Sequence, residues 1–518
     1  MNFDHVLEGF YLLMSWKCIL SILLGVNIGI IVGAIPGLTG SMAIALMIPL
    51  TFSMPPEIAI TMLMGVYKGS MFGGSIPAIL LNTPGMPASA PTALDGFALT
   101  RKGQGMKAMK VALYASFAGD VFSDLALLFL AAPLAAIAIK AAPPEYTAII
   151  IFSMTVIGGV SGKSLPKGLL AAALGMFLAC VGLDPIQGTP RLSFGFISLT
   201  GGFELIPMLI GLLAMSEIFQ QMGEAAVMRK TGEHFTPPVL DKTQNNLTWE
   251  DFKRCAKPAF RSSVIGTILG ALPGIGPSTA SFLGYSEAKR LSKHPEEFGK
   301  GSIEGVAASE AANNATCGAN IIPLLTLGIP GDVMAAVLVG ALMLQGMRPG
   351  PMLMQEQPVV LYSVMLGLLV CDLTYRFFGT LYIRVAIKTT RIPRIFICPV
   401  VTALCIIGSF AVNSSIFDIF AMLFFGVLGW VLTKLEISLP ALLIGFILEP
   451  MLEDAFRQTI LLYGWDMTVF ITRPGSLVIL ILTGLSIWST VRRHRKAKAA
   501  ALQNTERPAD LKAAAVPE

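Results

Sequence analysis

Long apolar runs separated by short polar turns occupy the chain from about residue 11 to residue 491. They lie near 11–34, 41–66, 111–139, 145–160, 165–183, 203–222, 259–275, 321–345, 359–381, 396–412, 416–433, 437–449 and 475–491. A transmembrane helix needs about 20 apolar residues and several runs are too short to cross alone, so we expect roughly 10–12 membrane segments. The pattern predicts an all-α polytopic membrane protein.

Two short apolar stretches each end in a similar Pro-Gly sequence. Residues 79–85 read ILLNTPG, and residues 325–331 read LTLGIPG. Proline removes a backbone donor and breaks a helix, and glycine has no side chain to cover the break. In hydrocarbon, unpaired backbone groups survive only where they are buried in protein or line a wet cavity. We therefore expect broken or re-entrant helices here, with backbone groups available to a ligand.

The Pro-Gly sequences belong to a longer internal repeat. Residues 29–37, GIIVGAIPG, and 266–274, GTILGALPG, share the pattern G-x3-G-A-x-P-G at an offset of 237. Residues 77–85 and 323–331 share P-x6-P-G at an offset of 246. Two matches in the same order indicate duplication. We expect the two repeats to be inverted, because that symmetry readily builds two equivalent access states.

The repeat and the polar stretches divide the chain into four parts. Residues 1–222 are predicted to form a first membrane repeat, and 223–258 a polar cytoplasmic linker. Residues 259–491 form the second membrane repeat with the C-terminal spans, and 492–518 a basic and then disordered tail. The linker has six basic residues and the tail begins RRHRKAK, which the positive-inside rule assigns to the cytoplasm.

The composition fits a chain whose solvent is lipid. Of 518 residues, 54% are hydrophobic and only 13% are charged, against about 25% charged in soluble domains. The net charge is +5, but the basic tail has no interleaved aromatic residues, so no nucleic-acid partner is expected. The seven cysteines lack a C-x-x-C pair, which argues against a disulfide or metal framework. GGVSGKS at 158–164 lacks the first glycine of a Walker A loop, so the expected energy source is an ion gradient or another subunit.

Neutral polar side chains surround both breaks. The predicted substrate-binding residues are Ser75, Asn82, Thr83, Pro84 and Gly85 in the first half, and Asn313, Asn314, Thr316, Thr326, Pro330 and Gly331 in the second. The predicted cation-binding residues are Glu310, Asn320 and Gly328. Hydroxyl and amide groups suit both carboxylate hydrogen bonds and alkali-cation coordination. The alternative is that small and amide residues only hold helices together.

Three ionisable residues inside the apolar runs are costly to bury and therefore candidates for function. Lys68 is expected either to pair with a substrate carboxylate or to snorkel to the interface. Asp120 and Asp124 lie one helical turn apart. They are expected either to carry protons or Na⁺, or to sit at a helix end and contact a partner chain.

Three further ionisable residues have simpler explanations. Asp372 and Arg376 are one turn apart, and an internal ion pair is enough to explain them. Asp332 follows the second Pro-Gly directly, so it is expected to cap the helix that restarts there.

Five stretches together resemble the large membrane subunit of the tripartite tricarboxylate transporter family. They are GAIPGLTGSMAIALMIPLTF, GGSIPAILLNTPG, TALDGFALTRKGQG, ALPGIGPSTASFLGY and EEFGKGSIEGVAASEAANNATCGANIIPLLTLGIPG. The resemblance covers residues 11–490. It implies uptake of an organic carboxylate across the bacterial inner membrane, driven by Na⁺ or H⁺. It also implies a small membrane subunit and a periplasmic solute-binding protein that delivers the substrate.

Two positions depart from the family pattern. Lys68 stands where an uncharged, often aromatic residue is expected, and Met86 where an acidic one is expected. Both flank the predicted site, so the substrate can be a tricarboxylate such as citrate, a dicarboxylate or an aromatic acid.

We therefore expect a secondary active transporter subunit in membrane lipid, not an enzyme. Its only cofactor would be the co-transported cation, with no metal beyond Na⁺, and its C-terminus would be cytoplasmic. Two other functions are compatible with the residues. One is an autonomous carboxylate carrier or channel that needs no binding protein. The other is a polytopic enzyme acting on a lipid, for which Asp120 and Asp124 are the only weak candidate groups.

Overall fold

Helices make up almost all of the computed structural model, which describes residues 3–160, 165–184, 187–231, 246–389 and 394–505. The first eleven are α1 Phe3–Leu13, α2 Trp16–Gly33, α3 Gly40–Met47, α4 Pro56–Gly73, α5 Ser75–Leu81, α6 Ala90–Arg101, α7 Gly105–Ala138, α8 Pro143–Val160, α9 Leu165–Ala179, α10 Leu205–Leu209 and α11 Ser216–Thr231. The other eleven are α12 Trp249–Gly270, α13 Pro277–Leu291, α14 Ile303–Leu327, α15 Val333–Leu344, α16 Leu353–Glu356, α17 Pro358–Thr389, α18 Arg394–Asn413, α19 Ile416–Lys434, α20 Leu439–Tyr463, α21 Val469–Thr472 and α22 Pro474–Thr505.

The remaining regular structure is short. Single 3₁₀ turns lie at Ile48–Thr51, Pro87–Ser89, Ile197–Leu199 and Pro295–Glu297, and Ile210–Met215 is a π-helical turn. Strands β1, Gly182–Leu183, and β2, Pro190–Arg191, form an antiparallel pair with Gly182 opposite Arg191. The predicted all-α class is confirmed.

Six helical segments in the described ranges are long and apolar enough to span a membrane. They are Trp16–Gly33, Gly105–Ala138, Leu205–Gly223, Pro358–Arg384, Ile416–Lys434 and Pro474–Arg492. Shorter apolar helices lie at Gly40–Thr51, Pro143–Ile157, Leu165–Ala179, Val333–Leu344 and Cys398–Asn413. The predicted polytopic membrane class is confirmed, and the number of spans stays a prediction.

The chain groups into two units. The first contains Met1–Lys140 and Phe177–Leu435, and the second contains Ala141–Met176 and Glu436–Glu518. Each unit consists of two separate stretches of the chain, so the two units interleave along the sequence. The predicted boundaries at 222 and 259 therefore stay predictions.

Glycines let pairs of helices pack closely in the first unit. A methyl group on Gly29 would overlap the Val66 carbonyl oxygen, so α2 and α4 are in backbone contact. A methyl group on Gly266 would overlap the Ala312 carbonyl oxygen, which brings α12 against α14 in the same way. Small residues allow such close approach in membrane proteins, where dispersion contacts drive helix association.

The two long helices of the first unit pack across the two halves of the sequence. Helix α7 packs against α12 and α14, whereas α17 packs against α2 and α4. Each long helix therefore lies beside the close-packed helix pair of the other half.

The Pro-Gly sequences break the helices where they were predicted to. Helix α5 ends at Asn82 (φ 53°) and α14 ends at Gly328 (φ 76°), both in the left-handed conformation. The N–H of the next residue then donates to the carbonyl of the buried proline, from Thr83 to Pro77 at 3.4 Å and from Ile329 to Pro323 at 3.3 Å. The chain therefore turns in the same way at the same P-x6-P-G pattern in both halves.

Within the second unit, α8 packs against α20 and α22. Arg473 donates to Glu145 at 2.7 Å. Gly175 packs against the backbone of Leu442, and Gly445 packs against the backbone of Ala172. Both contacts are as close as the glycine contacts of the first unit.

The structure covers only part of the predicted linker and tail. Helix α11 extends to Thr231 and α12 begins at Trp249, so both ends of the linker are helical. Helix α22 continues to Thr505, beyond Ala499, where we expected disorder to begin. Residues 232–245 of the linker and 506–518 of the tail lie outside the described residues.

Candidate functional site

Helix α14 runs through the interior of the first unit. Every residue from Ile303 to Thr326 is buried. The helix begins where the Ser302 hydroxyl accepts the N–H of Gly305 at 3.4 Å, and it ends at left-handed Gly328. The serine cap and the glycine stop therefore fix which polar side chains this helix holds inside the protein.

One face of α14 carries a row of polar groups. Glu310, Asn313, Cys317 and Asn320 follow one another at intervals of three, four and three residues, so they share a face. Both side-chain polar atoms of Asn313, and Oδ1 of Asn320, have no hydrogen-bond partner in the described part of the chain. An unsatisfied buried polar group costs about 1–3 kcal/mol. This row is therefore the best candidate for contact with a bound ligand.

Glu310 lies in a cage of neutral donors. Its Oε1 atom accepts hydrogen bonds from Ser75 (2.6 Å) and Thr92 (2.5 Å), and its Oε2 atom accepts one from Ser116 (3.0 Å). The Asn314 amide donates to Ser116 at 2.8 Å, while its own Oδ1 has no hydrogen-bond partner among the described residues. The structure thus brings together predicted residues from both halves around one buried carboxylate.

A second polar chain connects α4 with the second break. The Asn320 amide donates to the Tyr67 hydroxyl at 3.2 Å, and that hydroxyl donates to Asp332 Oδ2 at 3.2 Å. Asp332 Oδ1 accepts the N–H of Ala335 at 2.8 Å, so its predicted role as a helix cap is confirmed. Gly331 lies against the Asn320 side chain, where a methyl group would come within 3.0 Å of Asn320 Cα.

The first break is placed differently from the second. Asn82 and Thr83 are exposed, and the Thr83 hydroxyl donates to the carbonyl two residues earlier at 3.3 Å. Pro84 is half-buried, and buried Gly85 donates its N–H to the Gly74 carbonyl at 3.1 Å. Of the residues predicted in the first half, the described contacts join only Ser75 to the interior row.

The remaining predicted residues of the second half are buried. The hydroxyls of Thr316 and Thr326 each donate to a carbonyl of their own helix at 2.7 Å, the usual arrangement for threonine inside a helix. Pro330 and Gly328 are buried at the break itself. Their assignment to substrate or cation stays a prediction.

Lys68 lies in a separate cluster of charged groups. Its Nζ atom is 2.5 Å from Asp124, 2.5 Å from Asp372 and 3.5 Å from Asp120, and all four side chains are fully buried. The Tyr375 hydroxyl donates to Asp120 at 2.8 Å. Snorkelling by Lys68 is therefore wrong, because three carboxylates hold its ammonium group inside. The helix-end position for the two α7 aspartates is also wrong, because both lie well within α7.

The expected ion pair between Asp372 and Arg376 does not form. Asp372 pairs with Lys68, and Arg376 donates to Thr380 at 2.9 Å. The Arg376 guanidinium lies 4.1 Å from the centroid of the Tyr114 ring. The prediction failed because the buried ammonium group of Lys68, from a helix distant in sequence, pairs with Asp372 instead.

Asp95 clamps the polar loop that precedes α14. Its Oδ1 atom accepts the N–H groups of Gly299 (2.7 Å), Gly301 (2.8 Å) and Ser302 (2.9 Å). Its Oδ2 atom accepts the Tyr285 hydroxyl at 2.9 Å. Burial, together with the negative charge of Asp95, raises the pKa of Tyr285. A motif of the first half thus positions the start of the helix that carries the polar row.

Among the residues of these networks that sequence reasoning missed are Tyr67, Thr92, Asp95, Ser116 and Tyr375. Thr92 and Asp95 stand in the stretch TALDGFALTRKGQG, so that motif could have suggested them. Nothing in the local pattern marks the two tyrosines, which look like ordinary apolar helix residues.

Within the described residues, neither a metal site nor an apolar pocket is a better candidate for the substrate site than the polar row. No group of three His, Cys, Asp or Glu side chains within the described ranges is arranged to hold a metal ion. An apolar cleft between α7 and α12 is lined by Tyr114, Phe122, Phe252 and Phe260, apart from the polar row. Its lining is mostly carbon and so does not suit a carboxylate.

Comparison with known proteins gives one family. Residues 19–444 match the model of the tripartite tricarboxylate transporter TctA family. The chain is 38% identical over 451 residues, 87% of this chain and 88% of the relative, to the uncharacterized 52.8 kDa protein in the TAR-I ttuC' 3' region of Agrobacterium vitis. It is 40% identical over 209 residues, 40% of this chain and 86% of the relative, to an uncharacterized protein in the TAR-II ttuC' 3' region of the same organism. No solved structure matches the chain.

Proposed function

The chain belongs to the tripartite tricarboxylate transporter TctA family, and from this membership we propose that it imports an organic carboxylate together with Na⁺ or H⁺ as the large membrane subunit of a binding-protein-dependent secondary transporter. The partners would be a small membrane subunit and a periplasmic solute-binding protein. The protein would lie in the bacterial inner membrane with a cytoplasmic C-terminus, as its basic tail suggests.

The unpartnered amides on α14 are the observation that supports this function best. Asn313 leaves both a donor and an acceptor free, and Asn320 leaves an acceptor free, inside a fully buried helix. A carboxylate accepts hydrogen bonds from amide donors, and a co-transported cation uses amide and carboxylate oxygens. The row therefore offers a donor to the carboxylate of a substrate, and oxygen ligands to Na⁺ should Na⁺ be the coupling ion.

The paired helix breaks support alternating access. Each break ends in a left-handed residue followed by the same backbone hydrogen bond to a buried proline. The glycine contacts of α2 with α4 and of α12 with α14 correspond in the same way. These correspondences favour an internal repeat. If the repeat is inverted, equivalent elements of the two halves would form the outward-facing and inward-facing states.

Uptake by proteoliposomes tests the proposal. The full chain would be reconstituted with a small membrane subunit and a periplasmic binding protein of this family from the same organism. Labelled citrate, succinate and terephthalate would be offered in turn, under a Na⁺ gradient or a pH gradient. We expect uptake of at least one of them that needs both partners. Uptake without the binding protein would favour the autonomous carrier, and no uptake of any of the three would contradict the proposal.

Asparagine variants then test the site. Asn313→Ala and Asn320→Ala are expected to reduce uptake, because they remove groups left free for the ligand. Asn413→Ala is the matched control, since the Asn413 amide already donates to Asp418 at 3.1 Å. Asn82→Ala tests whether the exposed first break takes part. Wild-type uptake by both α14 variants would show that the row does not bind the ligand.

A further inference from the structure

We propose that Lys68, Asp120, Asp124 and Asp372 form the proton-binding site through which this transporter is driven. The proposal rests on the proposed transport function and names H⁺ as the coupling ion. It also places that ion away from the α14 row.

The charge of the cluster cannot balance without an added cation. One ammonium and three carboxylates carry a formal charge of −2 when all are ionised, and all four side chains are fully buried. Burying uncompensated charge at membrane depth is strongly unfavourable. The carboxylates must therefore share protons or a bound metal cation.

The geometry favours protons. The Lys68 ammonium already occupies the position between the carboxylates that a metal cation would take, 2.5 Å from two of them. Three carboxylate oxygens stay without a hydrogen-bond partner in the described chain: Asp120 Oδ1, Asp124 Oδ1 and Asp372 Oδ2. A proton added to one of these oxygens makes a neutral carboxylic acid, and Lys68 redistributes its N–H donors to the other two. Release of the same proton restores the starting state.

Other titratable groups face the cluster from the packed helices. They are Tyr375 and Cys371 on α17, and Cys317 on α14. Tyr375 already donates its hydroxyl proton to Asp120, and the thiols are weak acids that stay protonated in buried surroundings. The three aspartates are therefore the groups whose protonation can change in a transport cycle.

Two contacts connect the cluster and its helix α4 to α14, the helix that carries the polar row. Gly318 on α14 lies against Asp124 Oδ1, where a methyl group would overlap that oxygen. Tyr67, next to Lys68 on α4, accepts the hydrogen bond from Asn320. A change in the position of α4 or α14 therefore alters both the proton site and the ligand row, which is the physical requirement for coupling.

Infrared spectroscopy tests the proton site without any substrate. pH-difference spectra of the purified full-length protein in lipid are expected to contain a carboxylic acid C=O band that Asp120→Asn, Asp124→Asn or Asp372→Asn removes or shifts. Asp418→Asn, at a buried carboxylate of α19 outside the cluster, is the control and should leave the band intact. A spectrum unchanged in all three cluster variants would overturn the proposal.

Transport tests the coupling. In the proteoliposomes described above, a pH gradient without Na⁺ should drive uptake of the accepted carboxylate. Each Asp→Asn variant should lose most of that uptake, yet retain exchange of labelled for unlabelled substrate. Uptake that requires Na⁺ and ignores the pH gradient would overturn the proposal. So would undiminished proton-driven uptake in every cluster variant.

A charge-matched double variant keeps the test valid if single variants fail to fold. Lys68→Met combined with Asp124→Asn removes one positive and one negative charge, so the formal charge of the cluster stays the same. It is expected to fold, to lose proton-driven uptake and to alter the infrared band; normal values in both assays would contradict the proposal. If the wild type transports none of the three carboxylates, the proposed function fails while the infrared result still decides the proton site.

Discussion

Tyr67 and Lys68 are neighbours on one helix, yet their side chains enter two different polar networks. The Tyr67 hydroxyl bridges Asn320 and Asp332, each at 3.2 Å, beside the second Pro-Gly break. The Lys68 ammonium group binds Asp124 and Asp372, each at 2.5 Å. Helix α4 therefore holds the ligand row and the charged cluster in fixed relation. A shift of α4 that displaces one network therefore displaces the other.

Tyr67→Phe is expected to destabilise the protein. Removing the hydroxyl leaves the Asn320 amide with no hydrogen-bond partner in the described chain. It also removes the hydrogen bond that Asp332 Oδ2 accepts from Tyr67. Leaving buried polar groups unsatisfied costs about 1–3 kcal/mol, and a lower midpoint of thermal unfolding in detergent would measure it. Tyr362→Phe, at a buried tyrosine on α17 outside this network, is the control. An equal effect of both changes would argue against a specific role for the hydroxyl.

The helix breaks and the cap could be predicted because they depend on local sequence. Proline and glycine act within a few residues, so the sequences ILLNTPG and LTLGIPG were enough to predict the breaks, which the structure shows as left-handed Asn82 and Gly328. Asp332 follows a break directly, which made its capping role visible too. The all-α class followed from the lengths of the apolar runs.

The partners of Lys68 could not be predicted, because they are distant in sequence. Asp124 lies 56 positions away and Asp372 lies 304 positions away. Local patterns offered Asp372 a partner one turn later, Arg376, and no local rule could show that a lysine from another helix would be closer. The exposure of Asn82 beside the burial of Gly328, its counterpart in the second half, has the same origin, since similar sequences in the two halves meet different surroundings.

Gly29→Ala and Gly266→Ala are expected to lower the stability of the first unit. In each case the added methyl group would overlap a backbone carbonyl oxygen of the facing helix, which cannot move aside as a flexible side chain can. Overpacking of this kind typically costs about 1–3 kcal/mol. Gly201→Ala is the control, because nothing lies within 4 Å of the added methyl group there. Thermal unfolding in detergent measures all three, and control-like stability in the first two would refute close helix contact.

Glu310→Ala is expected to be more damaging than Glu310→Gln. The alanine removes the acceptor of three buried hydroxyls, Ser75, Thr92 and Ser116, whereas glutamine keeps one acceptor oxygen of similar position. Each unsatisfied buried group costs about 1–3 kcal/mol. Expression, monodispersity and thermal unfolding of the two variants would be compared with Glu287→Ala at the surface. The reverse order of stability would mean that the hydroxyls have other acceptors.

Asp95→Ala is expected to loosen the loop before α14. Three backbone N–H groups, those of Gly299, Gly301 and Ser302, lose their shared acceptor, and Tyr285 loses its partner. Hydrogen exchange at residues 299–302 should accelerate, because these amides would then bond only to water. Asp466→Ala, at an exposed carboxylate that bonds only to nearby Thr468, should leave exchange in this loop unchanged. Protection that persists in Asp95→Ala would show that the loop is held by other contacts.

The N-terminus of α12 should weaken in acid. Although partial burial acts in the opposite direction, hydrogen bonds from Lys107 and Thr248 lower the pKa of Asp251 below 3.8. A carboxylate with a lowered folded pKa contributes stability that is present above its unfolded pKa and lost as the pH falls through the folded value. As the pH falls below about 3.8 the capping box of Thr248 and Asp251 should therefore open, and the protection factors of amides 249–252, which correct for slower intrinsic exchange in acid, should fall.

Two variants of this cap separate its charge from its hydrogen bonds. Thr248→Ala should cost about 1 kcal/mol at neutral pH, the usual value of a helix N-cap, because the Asp251 N–H loses its acceptor at 3.2 Å. Asp251→Asn should remove most of the acid dependence while keeping a side chain that can still accept the Thr248 N–H. An acid response of the same size in Asp251→Asn would assign the effect to a different carboxylate, since asparagine does not titrate in this range.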